Sequence, residues 1–170
     1  MVSRALIISV AYPGHSNFLG EEIYSRAADI ESLLKDTFKC SEIKRLSNKW
    51  DGDSSHYANR ESILAAIDEL VEKTKTSDTL IFYYIGRGFQ KEDQNGDEQD
   101  DFDEALVLPV MDPNTNQCDS LDFLTDDLVG EKLCKPLPEG SNLIGLIDMD
   151  HSGTIFDLPF SYTEMNGQVK

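Results

Sequence analysis

The sequence predicts an α/β fold built on a mainly parallel sheet with helices on both faces. Two observations carry that prediction. Apolar stretches of strand length alternate along the chain with stretches whose apolar residues recur at helical spacing. Three of the strand candidates, at residues 5–10, 79–84 and 143–147, are almost uninterrupted in apolar character, as strands covered on both faces must be. At 170 residues the chain can bury a sizeable core, and one domain is the simplest expectation.

The first strand, residues 5–10, runs into Ala-Tyr-Pro-Gly at 11–14, which forces a turn. Residues 21–35 place Ile23, Ala27, Ile30 and Leu34 on one helical stripe, with Glu21 and Glu22 at the amino end, where the macrodipole favours acids. A weaker strand is expected at 41–46, then a loop at 47–57 in which Trp50 reads as a packing anchor. The stripe of Ile63, Ile67, Leu70 and Val71 predicts a second helix over 59–74. The buried strand at 79–84 is broken by Gly86-Arg87-Gly88, another strand is expected at 105–110, and Thr125 reads as the cap of a short helix over 126–133. Residues 136–140 lead into the last buried strand, 143–147, after which the chain is turn chemistry.

Parallel strands point the same way, so the loops after Tyr84 and Ile147 leave the sheet on one edge. Ligands of open α/β sheets sit just outside the carboxyl ends of their strands. Arg87, Asp148, Asp150 and His151 therefore stand where a site belongs, and Arg87 and Asp150 are expected to be neighbours.

Fifteen Lys and Arg against 32 Asp and Glu give a formal charge of −17. Such a surface repels nucleic acid and anionic membrane and attracts cations or basic segments of proteins. No stretch has the length and apolarity of a bilayer span, and the apolar amino-terminal run is too short and too early for a signal peptide, so a cytoplasmic protein is expected. Cys40, Cys118 and Cys134 form neither an even framework nor a zinc pattern, so reduced thiols are expected.

Several motifs occur in an order that resembles the metacaspases, the caspase-fold cysteine peptidases. They are Tyr12-Pro13-Gly14, the helix start from Asn59 to Ile63, Tyr84-Ile85-Gly86-Arg87-Gly88, and Asp103-Glu104. Asp126-Asp127, Pro136-Leu137-Pro138-Glu139-Gly140, and the closing Asp148-Met149-Asp150-His151-Ser152-Gly153 with Asp157-Leu158-Pro159-Phe160 complete the series. The resemblance implies a caspase-like sandwich corresponding to the large-subunit part, without the small-subunit strands that follow in the family. It also puts Arg87 in the place of the family's catalytic His and Asp150 in the place of its Cys. A guanidinium stays protonated and cannot act as base, and a carboxylate is a poor nucleophile toward an amide. The expectation is a degenerate dyad closed by a charge-assisted pair. His151 matches a residue read as structural.

Eight of the thirteen residues 92–104 are acidic. Asp93, Asn95, Asp97 and Glu104 match part of an EF-hand spacing, but Glu98 stands where the glycine belongs, so that motif is rejected. The family resemblance instead implies calcium held by Asp103, Asp126, Asp127 and Asp157. It also makes Asp148 one of the acids that recognise an Arg or Lys side chain; the second acid would fall between Tyr24 and Asp29, where the family pattern is lost.

The reading is thus an inactive, calcium-responsive binding module. Its expected partners are basic peptide segments, an active metacaspase relative, or a second copy at a sheet edge left unpaired if the chain ends at Lys170. Three other readings compete with it. A receiver-type phosphoacceptor fails because the first strand ends Ser9-Val10-Ala11, without the acidic pair that holds magnesium. An enzyme remains as the alternative, either a metal-assisted hydrolase using Asp148, Asp150 and His151 or a peptidase with a displaced nucleophile cleaving after Arg or Lys. A plain scaffold without ligand is the third.

Overall fold

The computed structural model describes residues 1–49, 56–92, 102–112, 114–156, 158, 164–165 and 168–169. Four parallel strands form the central sheet in the order β2 (Glu42–Ser47), β1 (Ser3–Ser9), β3 (Thr79–Ile85) and β7 (Asn142–Asp148). β1 and β3 are central, and their side chains alternate between two cores. Ala5, Ile7, Ile81, Tyr83 and Ile85 meet Ile23, Ala27 and Leu34 of α1 (Glu22–Asp36) on one face. Leu6, Ile8, Leu80, Phe82 and Tyr84 meet Ile63, Ile67 and Leu70 of α2 (Arg60–Lys73) on the other. The helices thus cover both faces, and each fully buried Leu, Ile or Phe contributes about 1.5–3 kcal/mol.

The amino end of α2 is fixed by a capping box, in which the Asn59 side chain accepts from the Ser62 N–H at 2.8 Å and the Asn59 N–H donates to Ser62 Oγ at 3.1 Å. A cap of this kind is worth about 1 kcal/mol. A three-stranded antiparallel sheet, β4 (Gly88–Glu92), β5 (Phe102–Met111) and β6 (Cys118–Thr125), extends the α2 side through Leu106, Leu108 and Leu124. A short helix α3 (Asp126–Val129) follows and runs into one π-helical turn, Gly130–Cys134, whose Leu133 also joins that core. A two-residue hairpin, β8 (Glu164–Met165) with β9 (Gln168–Val169), lies near the carboxyl terminus.

Two expectations need correcting. The strand over 143–147 is not covered on both faces: Ile144 and Leu146 are 44% and 40% exposed, because among the described residues β7 pairs only with β3, and α1 packs on β1 and β2. Gly86-Arg87-Gly88 ends β3 as expected, and Gly88 opens β4 of the second sheet at once. Thr125 does not cap α3 with its side chain; the Asp126 carboxylate takes the Asp127 N–H instead, at 2.8 Å. Trp50 lies outside the described residues. Among them, no helix is long and apolar enough to cross a membrane.

Candidate functional site

Ile85 and Asp148 stand opposite each other at the carboxyl ends of β3 and β7, and the Gly86 N–H donates to the Asp148 carbonyl at 3.3 Å. The two loops therefore leave the sheet side by side. Arg87 Nη1 lies 3.1 Å from Asp150 Oδ2, and the side chains are 37% and 59% exposed, so water screens the pair. Gly88 makes the approach possible. A Cβ there would lie 1.7 Å from the Asp150 carbonyl oxygen.

Arg87 is held from beneath by two buried tyrosines. Its N–H donates to Tyr12 Oη at 2.8 Å, and its carbonyl is 3.0 Å from Tyr84 Oη. Both hydroxyls also reach the Val107 carbonyl at 2.7 Å and lie 3.1 Å from each other. Tyr12 adopts a left-handed φ of 60°, a strained conformation for a side chain of this size, and is fully buried. Burial pushes its hydroxyl up to about 12 and that of Tyr84 well above the usual range, so both stay protonated and act as donors. Burial also raises the thiols of Cys40 and Cys118, which disfavours a thiolate at either.

On the α1 side of the paired loops lies a cavity of about 370 Å³. Glu22, Ile23 and Arg26 line it from α1; Arg87, Asp148 and Asp150 line it from the strand ends. A larger hollow, about 710 Å³, lies against β2, but Lys44, Arg45 and Lys49 in it are already paired with Glu69, Glu31 and Glu21.

Asp103, Glu104 and Asp126 form a buried acidic cluster, exposed by only 3%, 7% and 3%. Asp126 Oδ2 accepts the Glu104 N–H at 2.8 Å, and the Glu104 carboxylate accepts the Thr154 hydroxyl. Burial, reinforced by the charges of Asp103 and Glu104, raises the Asp126 carboxyl to about 6 against the pull of its two N–H donors. Asp127 is adjacent and half-buried; Asp157 lies outside the described residues. The oxygen-rich, carboxylate chemistry suits a hard cation such as calcium. Among the described residues, no three or more His, Cys, Asp or Glu are gathered into ready metal-binding geometry. That statement covers Asp148, Asp150 and His151, and equally Asp103, Asp126 and Asp127.

Sequence reasoning left out Arg26, the Tyr12 and Tyr84 anchor, and Glu104 as a member of the buried cluster. Arg26 had a signal: three residues beyond Ile23 it shares that residue's side of α1.

A family model described as the metacaspase, peptidase C14 domain, matches residues 3–159. The chain is a member of the metacaspase family. It is 34% identical over 165 residues to Metacaspase-1 of Lodderomyces elongisporus, covering 94% of this chain and 35% of that protein. It is 33% identical over 159 residues to Metacaspase-2 of Arabidopsis thaliana, covering 92% and 36%. The chain thus spans about a third of the length of these curated relatives. A crystal structure of a Geobacter sulfurreducens protein superposes with a TM-score of 0.65 at 21% identity, over 91% of this chain and 53% of that one. The caspase-like α/β fold follows from the family and agrees with that superposition.

Proposed function

We propose that the chain is a cytoplasmic, non-catalytic metacaspase-family module that binds protein segments and responds to calcium. The observation that carries this reading is the contact of Arg87 with Asp150 at 3.1 Å. Those positions hold His and Cys in the family pattern. A permanently protonated guanidinium accepts no proton, and its partner carboxylate is tied to it. The test is incubation of Arg- and Lys-containing peptides with the pure protein in calcium, followed by mass spectrometry. No cleavage is expected; turnover that disappears in Asp150→Ala would overturn the reading in favour of an enzyme.

Asp103, Asp126 and Asp127, with Asp157, would hold the calcium ion. When bound, calcium supplies positive charge to a buried cluster that otherwise repels itself. Calorimetric titration of chelator-stripped protein, run beside Asp127→Asn, separates a saturable site from ion condensation on a surface of charge −17. Identical weak binding in both proteins would remove calcium from the proposal.

The two sheet edges support one partner surface. β2 is dressed with Glu42, Lys44 and Arg45, held in ion pairs with Lys73, Glu69 and Glu31 at 2.6–3.4 Å. Charged edges resist strand pairing. β7 has no charge from Asn142 to Ile147 and exposes Ile144 and Leu146. An extended apolar segment flanked by Lys or Arg suits that edge and the acidic surface around it.

A further inference from the structure

We propose that β7 is the self-complementary edge of a symmetric dimer, pairing antiparallel with β7 of a second copy about a two-fold axis through Gly145. The inference rests on the reading of β7 as the partner edge, and it names what occupies that edge in the pure protein. A basic-flanked segment then has to compete with the second copy.

The direction of the backbone groups carries it. In a strand the N–H and C=O of one residue point to the same side, and the side alternates from residue to residue. The Asn142 N–H donates to the Asp78 carbonyl at 2.8 Å, and the Asp148 carbonyl accepts the Gly86 N–H at 3.3 Å. The even-numbered residues of β7 therefore bond to β3, in keeping with the parallel register that sets Asn142 beside Thr79 and Asp148 beside Ile85. Leu143, Gly145 and Ile147 point their groups outward, where among the described residues no strand lies. An antiparallel partner centred on Gly145 sets Leu143 opposite Ile147, Gly145 opposite Gly145, and Ile147 opposite Leu143. All three are then hydrogen-bonded pairs, and every outward N–H and C=O of both strands is used. A shift of the centre sets at least one of the three opposite a residue that lies outside β7 or is already bonded to β3.

The side chains fit the same register. Between the bonded pairs lie the close ones, with Cα atoms about 4.5 Å apart. They are Ile144 opposite Leu146, on the face that α1 leaves open, and Asn142 opposite Asp148. Two half-exposed apolar side chains from each copy thus close on one another. The single charge in the strand meets an amide that can donate to it, not a like charge. Gly145 puts no side chain on the axis; a Cβ there would run into Phe156 of its own chain. A strand pair of this length is small beside the roughly 1,200–2,000 Å² of a standard interface, so a dissociation constant on the order of 10 μM is expected. The charge of −17 on each copy opposes association at long range, and added salt should therefore tighten the dimer.

The experiment is sedimentation equilibrium of the full chain from about 1 to 200 μM, at about 0.15 M salt and again near 0.5 M. Wild type is expected to dimerise, more tightly at the higher salt. Leu146→Lys sets two introduced charges diagonally across the axis and should weaken the dimer about tenfold or more, although it makes each copy less negative. Val110→Lys makes the same change of charge at an exposed side chain of β5 and should leave the constant unchanged. Register is read by mild oxidation. An equimolar mixture of Ile144→Cys and Leu146→Cys should cross-link, because positions 144 and 146 face each other within disulfide reach. Each variant alone should cross-link far less, against the background of Cys40, Cys118 and Cys134 in wild type. Ile144 and Leu146 are exposed, so none of these changes threatens folding. A monomer throughout that range, a dimer indifferent to Leu146→Lys, or equal cross-linking in separate and mixed variants overturns the proposal. A monomer that still binds an apolar peptide flanked by Lys, and loses it in Leu146→Lys, would strike the second copy and keep β7 as the partner edge. Absence of both dimer and peptide binding would remove the edge reading as well.

Discussion

Replacing Gly88 by Ala tests whether the arrangement of the two loops is fixed by backbone contact. The added Cβ would sit 1.7 Å from the Asp150 carbonyl oxygen and 3.1 Å from Met149 Cγ. The first of these is backbone, which cannot rotate away. Either β4 or the loop after β7 has to move, and the Gly86 to Asp148 hydrogen bond and the Arg87 to Asp150 contact move with it. Overpacking of this kind costs about 1–3 kcal/mol, and the screened ion pair adds roughly 0.5 kcal/mol. With a urea slope of about 2 kcal/mol/M, the unfolding midpoint should fall by roughly 0.7–1.8 M. The control is Gly153→Ala in the same loop, where the Cβ would meet nothing within 4 Å. That variant should stay within about 0.5 kcal/mol of wild type or gain slightly. If Gly88→Ala unfolds at the same urea concentration as Gly153→Ala, the close approach of Asp150 to β4 is wrong.

Three further outcomes are expected. A double-mutant cycle on Arg87→Ala and Asp150→Ala should give a coupling of about 0.5 kcal/mol at low salt that fades near 1 M salt; zero coupling at low salt would mean the two charges are independent. Tyr84→Phe removes a buried hydroxyl that holds both Tyr12 and the Arg87 carbonyl, and should cost about 1–3 kcal/mol by thermal or urea unfolding, where an unchanged midpoint would deny the anchor any role. The Asp126 carboxyl binds its proton more tightly in the folded state, so its contribution to stability is fully present below its ordinary value of 3.8 and is lost as the pH rises through about 6. Relative to Asp126→Asn, wild type should therefore gain up to roughly 3 kcal/mol between pH 7 and pH 4, and parallel stability curves would refute the burial of its charge.

Much of this arrangement was legible in the sequence because it depends on period and direction. The stripes from Ile23 to Leu34 and from Ile63 to Leu70 give both helices, and the apolar runs of β1 and β3 give the sheet centre. Parallelism then brings the ends of β3 and β7 together. What was not legible depends on neighbours. An apolar run reads the same whether its second side is covered or open, so the run itself does not show the exposure of Ile144 and Leu146. β6 escaped because Asp119, Ser120 and Asp122 interrupt its apolar residues, and aspartate is poor in strands taken alone. Asp126 was expected as a ligand position, but its two N–H partners and its burial between Asp103 and Glu104 come from strand packing.

Among the described residues, a side-chain contact joins the acidic cluster to the paired loops, and it offers calcium a route to the site. Thr154 lies four residues after Asp150 in the loop that follows β7, and its hydroxyl donates to the Glu104 carboxylate. Glu104 in turn gives its N–H to Asp126. A cation drawn to Asp103 and Asp126 would compete with Thr154 for the Glu104 carboxylate, because a divalent charge outweighs a neutral donor in a buried setting. Release of Thr154 would loosen the segment that presents Asp150 to Arg87. Calcium should therefore reduce the coupling measured in the Arg87 and Asp150 cycle, and Thr154→Val should bind calcium with the coupling already at its reduced value. Were calcium to bind and the coupling to remain the same in wild type, the cluster and the candidate site would be independent, and regulation would have to run through some other contact.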